Sequence, residues 1–186
     1  MLRWIGILAA LGLSACGPRE NADVAQDCAR SVTHSVQWSR VDAPDVITAS
    51  SHGPSCAQVT TDLTIRDASG ASLWTFSSAY WDLAVGGPAP EDAEASAEQI
   101  DAFLRLWADV SVSRTSRLPQ WRTDAATLTD SASVFNYQTP FDRSAYEALR
   151  QQDLTMLCYA AAVEDTQCII LDPATRTPTL IVAYGT

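Results

Sequence analysis

Side chains that could act as a general base or activate a nucleophile are few in this chain. His34 and His52 are its only histidines, and no GxSxG elbow or SxxK pair offers a serine nucleophile. His34 falls on the apolar side of an alternating strand at 31–41, where a buried or edge histidine is the ordinary role. No phosphate-binding glycine loop occurs, and no Cys/His spacing suits zinc. The sequence therefore indicates no cofactor and no metal, and its 22 acidic residues single out no catalytic pair.

The most informative chemical group is Cys16, which ends the stretch Leu13-Ser14-Ala15-Cys16. The nine residues Ile5–Leu13 are an apolar run, and Arg3 places a positive charge ahead of them. A membrane-spanning helix needs about 20 apolar residues, so this run has the length of a secretory signal instead. The stretch resembles the lipobox of bacterial lipoprotein precursors, which have leucine three residues before the cysteine and small residues between.

The lipobox resemblance implies how the chain is processed and where it is held. Residues 1–15 would be a signal peptide, removed just before Cys16, and Cys16 would carry lipid on its sulfur and on its freed amine. Residues 16–23 would form a short tether to the membrane, and residues 24–186 a single globular domain. Because Gly17 follows the cysteine in place of an aspartate, the resemblance favours the periplasmic face of the outer membrane over the inner membrane.

The four other cysteines form an even set, which in an exported protein indicates disulfides. Four cysteines allow three pairings. Cys158 and Cys168 are symmetric about Val163, so a hairpin turning there would place them opposite one another, within disulfide reach. Cys28 and Cys56 would then pair by elimination.

The charge of the chain limits the kinds of partner that this protein can bind. The net charge is −10, and all 12 basic residues are arginines, which argues against nucleic acid as a partner.

Arg114, Arg117 and Arg122 are close in sequence in the segment with the least regular pattern. Pro119 disfavours helix there, so we expect an exposed loop. Arg117, Trp121 and Arg122 are the predicted contact surface for an acidic protein partner, because tryptophan and arginine are enriched at interface hot spots; the alternative is a set of surface arginines in salt bridges.

The elements that must position these groups follow from hydrophobic periodicity. Residues 57–66 and 72–79 alternate apolar and polar side chains on either side of a turn at 67–70, which predicts a β-hairpin. If that four-residue turn is the whole loop, Leu63 opposes Trp74, and the apolar side chains of both strands share one face.

Two helices and a group of buried strands complete the predicted domain. Ser96 and Gln99 form the pattern of a capping box ahead of an amphipathic helix, and Asp142 is the predicted N-cap of a second. The end of the chain, 154–184, holds strands that are apolar on both faces, as in a sheet covered on both sides. The predicted class is α+β: one antiparallel sheet, or two packed sheets, with two amphipathic helices.

Two function classes remain open at this point. The first is a lipid-anchored periplasmic binding or accessory module of the cell envelope, held to the membrane by its lipid. The second is an envelope hydrolase without a recognisable motif. Tyr80 and Trp81 at the end of a strand are either core residues or the lining of a groove for a peptide or glycan.

Overall fold

The computed structural model describes residues 28–91, 93–128 and 135–186, which form two antiparallel β-sheets and three α-helices. The predicted α+β class is confirmed, and the chain adopts the two-sheet arrangement. The predicted signal peptide, Cys16 and the tether lie outside the described residues. The strands are β1 (Ser31–Val36), β2 (Asp45–His52), β3 (Thr60–Arg66), β4 (Ser72–Ala79), β5 (Ser111–Arg114), β6 (Asn136–Gln138), β7 (Thr155–Ala162), β8 (Asp165–Leu171) and β9 (Pro178–Gly185). The helices are α1 (Tyr80–Ala84), α2 (Ala97–Ala108) and α3 (Arg143–Gln151).

The first sheet, in the order β1-β2-β3-β4, buries one face and leaves the other polar. Side chains alternate along β2 and β3, so Ile47 and Leu63 are fully buried while their neighbours point outward. One row of outward positions consists of threonines that pair in register across all four strands: Thr33, Thr48, Thr64 and Thr75. Cross-strand threonine pairs contribute roughly 0.2–1 kcal/mol each, so this face stabilises the sheet without apolar contact.

His34 lies at the open edge of this sheet rather than in its core. It pairs with Ile47 across the ladder and so shares the inward side, as the alternation predicted. Among the described residues no further strand pairs with β1, and the imidazole is 47% exposed. Its Nε2 lies 3.8 Å from a carboxylate oxygen of Asp109, which follows the end of α2.

The hairpin of β3 and β4 forms as predicted, but its first strand begins at Thr60 and not at residue 57, because a 3-10 turn occupies Cys56–Gln58. Its register differs from the predicted one by two residues. Leu63 opposes Phe76, and Trp74 opposes Ile65. One additional residue lies in the loop, because the Asp67 side chain accepts hydrogen bonds from the amides of Ser69 and Ala71 and so extends the turn. A second lies in a β-bulge beside Ile65. One extra residue would have moved the apolar side chains of β4 to the opposite face of the sheet, whereas two return them to the predicted face.

The second sheet, in the order β5-β7-β8-β9-β6, is covered on both faces as predicted. On β7, Leu157 packs into the core between the two sheets, and its neighbour Met156 packs into a second core on the opposite face. Ile169 and Ile170 on β8 divide in the same way. This arrangement explains why these strands show no polar alternation.

The two predicted helices cover different cores. Ser96 and Gln99 form the predicted capping box at the start of α2, which buries Ile100 and Leu104 between itself and strands β1 and β2. Asp142 caps α3 by accepting a hydrogen bond of 2.9 Å from the amide of Ala145. The buried side of α3 packs into the second core.

Two short elements were not predicted from the sequence. The chain turns directly from β4 into α1, which buries Tyr80 and Leu83. β5 pairs with β7 at the edge of the second sheet and then enters a 3-10 turn at Thr115–Arg117. Both are only four or five residues long, too short for hydrophobic periodicity to reveal them.

Candidate functional site

The four cysteines of the described domain form the two predicted disulfides. Cys158 lies directly opposite Cys168 in the β7–β8 ladder, with their Cα atoms 4.0 Å apart. Cys28 is bonded to Cys56, with a Cα separation of 5.4 Å. Disulfides persist in oxidising compartments, so these two indicate an extracytoplasmic location. Among the described residues, no group of His, Cys, Asp or Glu side chains could hold a metal ion.

The structure corrects the predicted contact surface at Trp121. This side chain is only 9% exposed and belongs to the second core, where its ring meets that of Tyr146 edge to face at 5.9 Å. Its backbone amide donates to a carboxylate oxygen of Glu147, and its indole N–H donates to the carbonyl of Ala125. A segment without regular secondary structure can still supply a core residue, and Trp121 is one.

The two arginines of the predicted surface lie on the outside. Arg122 forms two hydrogen bonds with the carboxylate of Asp124, at 3.2 and 2.9 Å. Arg117 ends the 3-10 turn after β5 and is exposed. Arg122 thus has the salt-bridged role that was the alternative, and an acidic partner for Arg117 and Arg122 stays a prediction.

The aromatic residues after β4 are part of the core. Tyr80 is buried, and its ring contacts the ring of Phe103 edge to face at 5.2 Å. Trp81 donates its indole N–H to the carbonyl of Ala57, across the end of the first sheet. These contacts account for the aromatic run without a groove.

A histidine, an aspartate and a serine meet on the outer face of the first sheet. Nδ1 of His52 lies 3.2 Å from one carboxylate oxygen of Asp62, and the other accepts a hydrogen bond from the hydroxyl of Ser77. A hydrolytic triad needs the imidazole between the carboxylate and the hydroxyl. Here the carboxylate is in the middle, so His52 is not placed to take the proton of Ser77.

Three arginines gather at another place, where segments of the two sheets meet. We name it the arginine pocket, an open cavity of about 450 Å³. It is lined by Trp38, Ser39, Arg40, Val41, Asp42, Arg114, Asp153, Leu154, Thr155, Leu171 and Arg176. Its three arginines come from the β1–β2 loop, the end of β5 and the β8–β9 turn. Arg114 is close in sequence to Arg117 and Arg122, whereas folding places it with two arginines that are distant in sequence.

The three guanidinium groups of the arginine pocket differ in their partners. Arg40 forms two hydrogen bonds with the carboxylate of Asp42, at 2.9 and 2.7 Å. Arg114 donates to the carbonyl of Asp153 and to the hydroxyl of Thr155. Arg176 donates to a carbonyl alone, that of Ser39, at 2.7 Å. Within the described part of the chain, Arg176 has no carboxylate as an ion-pair partner.

Carboxylates fix the two loops that carry Arg40 and Arg176. Asp45 is fully buried and accepts hydrogen bonds from the amides of Trp38 and Ser39, at 3.1 and 2.6 Å. Asp172 accepts from two amides of the β8–β9 turn, and hydrogen bonds with the Thr175 amide and neighbouring groups lower the pKa of Asp172. The walls of the arginine pocket are therefore held in place without a ligand.

Trp38 is the tryptophan that lines the arginine pocket, and it is only 7% exposed. Across the described residues its indole Nε1 is the only buried side-chain polar atom without a hydrogen-bond partner. An unpaired buried donor costs about 1–3 kcal/mol, which the surrounding structure offsets.

No protein family, curated protein or solved structure matches this chain. In the ranges that the structure covers, none of the helices combines the length and the apolar character that crossing a membrane requires. The residues themselves must therefore carry any functional argument.

Proposed function

We propose that this protein is a lipid-anchored lipoprotein of the bacterial envelope whose domain acts as a binding or accessory module in the periplasm. The lipobox stretch ending at Cys16 supports the anchor, and the two disulfides support an oxidising compartment. Gly17 favours the outer membrane over the inner membrane.

The observation that carries the binding role is the arginine pocket. It is open to solvent, its walls are fixed by buried or turn-forming carboxylates, and charged groups from three separate segments converge on it. Such convergence of a few polar groups on a concave surface is typical of ligand sites. The alternative, a hydrolase, has no supporting arrangement in the described part of the chain, because Asp62 separates His52 from Ser77.

The anchor is tested by replacing Cys16 with serine. In cells fed a labelled fatty acid, the unmodified sequence should yield a labelled protein that enters the detergent phase on partition. C16S should be unlabelled and should either remain uncleaved or become soluble in the periplasm. The matched control is the double variant C28S/C56S, which removes two other cysteines and should keep its label. A labelled C16S protein would contradict the anchor.

The predicted contact of Arg117 and Arg122 with an acidic protein is separate from the arginine pocket, and it is tested by crosslinking in intact cells. If an acidic protein binds the exposed arginines, R117A/R122A should lose its crosslinked product. R105A is the matched control, because Arg105 is also exposed and paired with an aspartate four residues away. A product that survives in R117A/R122A would reject these two arginines as the contact.

A further inference from the structure

The arginine pocket carries a surplus of positive charge in an acidic protein. Its lining holds three arginines against Asp42 and Asp153, a net charge of +1, whereas the whole chain has −10. A local positive site in a negative field selects an anion and discriminates against cations. The surplus is small, and this limits the charge of the ligand that the pocket can take.

Arg176 is the group with unused hydrogen-bonding capacity. A guanidinium carries five N–H donors in a planar fork, and the contact with Ser39 uses one of them. The remaining donors can bind both oxygens of a carboxylate at once. The other two arginines already have acceptors, Asp42 for Arg40 and Asp153 with Thr155 for Arg114.

The backbone beneath this pocket adopts an uncommon conformation. Two non-glycine residues with positive φ occur in the part of the chain described here, Asp153 at 52° and Arg176 at 60°, and both line the pocket. Such conformations are rare outside glycine and cluster at functional sites. The left-handed turn at Arg176 directs its guanidinium toward the β1–β2 loop, where it reaches Ser39.

The remaining lining describes the rest of the ligand. Val41 is 93% exposed, and Leu154 and Trp38 add further apolar surface. Asp42 and Asp153 would repel a second negative charge. The lining therefore fits a ligand with one negative charge and an apolar flank, of the size of a small molecule.

From these observations we propose that the arginine pocket binds the carboxylate of a small monoanionic ligand with an apolar side chain, through the free donors of Arg176. Trp38 lines the same pocket, so its indole signal can report on binding. This inference rests on the proposed binding role of the domain and is independent of the lipid anchor.

The first test uses the full-length protein in detergent micelles, with its tryptophan indole groups labelled with ¹⁵N. N-acetyl-L-leucine is titrated, and N-acetyl-L-leucinamide is the neutral control. We expect a saturable shift of the Trp38 indole signal, assigned through W38F, and at least tenfold weaker binding of the amide. Equal shifts with both compounds would overturn the proposal, and so would preferential binding of inorganic phosphate.

The second test separates Arg176 from general charge. R176N removes the guanidinium but keeps a residue that tolerates the left-handed conformation, and we expect at least tenfold weaker binding of N-acetyl-L-leucine. R122Q, which removes one exposed arginine outside the pocket, should bind as the unmodified protein does. The other indole signals report whether each variant is folded. Unchanged binding by R176N, or an equal loss in R122Q, would overturn the proposal while leaving the acylation test of the anchor unaffected.

Discussion

Asp45 shows how one buried carboxylate can shape a loop. It is the first residue of β2, and its side chain accepts from the amides of Trp38 and Ser39 and from the Ser39 hydroxyl. A buried carboxylate is tolerated only when it is fully hydrogen-bonded. These bonds hold the loop that presents Arg40 to the arginine pocket, so the residue links the stability of the sheet to the geometry of the site.

Replacing Asp45 with alanine should destabilise the protein by about 2–3 kcal/mol, because two amides and a hydroxyl lose a charged acceptor. The exposed Asp42, whose side chain pairs with Arg40, is the matched control, and D42A should leave stability nearly unchanged because an exposed ion pair contributes little. Urea unfolding followed by circular dichroism measures both. Equal effects of the two variants would show that burial of Asp45 does not decide its contribution.

The buried position of Trp121 gives a second prediction at this scale. W121A should cost about 3–5 kcal/mol, the usual range for removing a buried tryptophan. R122A, one residue further along, should leave stability nearly unchanged because this side chain is exposed. W121F should lie between them, because it keeps ring packing against Tyr146 and loses the hydrogen bond to Ala125. Thermal and urea unfolding distinguish the three variants. A W121A protein as stable as the unmodified one would show that Trp121 does not contribute to the core.

At the scale of elements, the start of α2 is fixed by reciprocal hydrogen bonds. The Ser96 hydroxyl accepts from the Gln99 amide, and the Gln99 side chain accepts from the Ser96 amide. S96A should therefore lower stability by about 1 kcal/mol. The double variant S96A/Q99A should cost less than the sum of the single ones, because both belong to one motif. S35A on the exposed face of β1 is the control, and additive single effects would argue against the capping box.

The same scale shows what sequence patterns can and cannot predict. Capping boxes and helical stripes are local, so the sequence predicted α2 and α3 correctly. The register of β3 and β4 depended on counting turn residues, and Asp67 and the bulge beside Ile65 each added one. The apolar side chains of β4 lie on the predicted face only because these two added residues together shift the register by an even number. Bulges depend on the twist that a strand adopts against its neighbours, which a single strand's pattern does not contain.

At the scale of the whole molecule, one tyrosine hydroxyl connects the two sheets. Tyr159 on β7 accepts a hydrogen bond from the indole N–H of Trp74 on β4 and donates one to Gln167 on β8. Its ring also packs against Phe76 at 5.1 Å. Burial raises the pKa of Tyr159 to about 12, and burial likewise raises the pKa of Tyr146 in the second core.

These raised values predict a loss of stability at alkaline pH. The tyrosine pKa in an unfolded chain is about 10. Below that pH the hydroxyls are protonated in both the folded and the unfolded state, and their burial contributes fully to stability. As pH rises from about 10 toward 12, the unfolded state ionises first, so stability should fall by roughly 1.4 kcal/mol per pH unit for each buried tyrosine.

Urea unfolding between about pH 8 and pH 11 measures this slope. Y159F should show a smaller slope than the unmodified protein but not a flat one, since burial also raises the pKa of Tyr146 and of Tyr80. An exposed-site control, R105A, should leave the slope unchanged. Identical slopes in Y159F and the unmodified protein would mean that the Tyr159 hydroxyl ionises at its ordinary pKa.

The arginine pocket belongs to the whole molecule as well, and for that reason the sequence did not predict it. Arg40 and Arg176 lie on connections between strands and Arg114 ends β5, and the packing of one sheet against the other brings them together. The predicted cluster of Arg114, Arg117 and Arg122 relied on nearness along the chain. In the structure Arg114 is directed to Asp153 and Arg122 to Asp124.

The bond between Cys28 and Cys56 also has a mechanical consequence. A pull that reaches Cys28 from the residues before it would, without this bond, open the edge strand β1 from β2 one pair at a time. The bond transmits the force to Cys56, just ahead of β3, which has neighbours on both sides. The chain between the two cysteines has a sequence separation of 28, about 100 Å when extended. The bond shields it from tension, so the domain should resist force applied at Cys28.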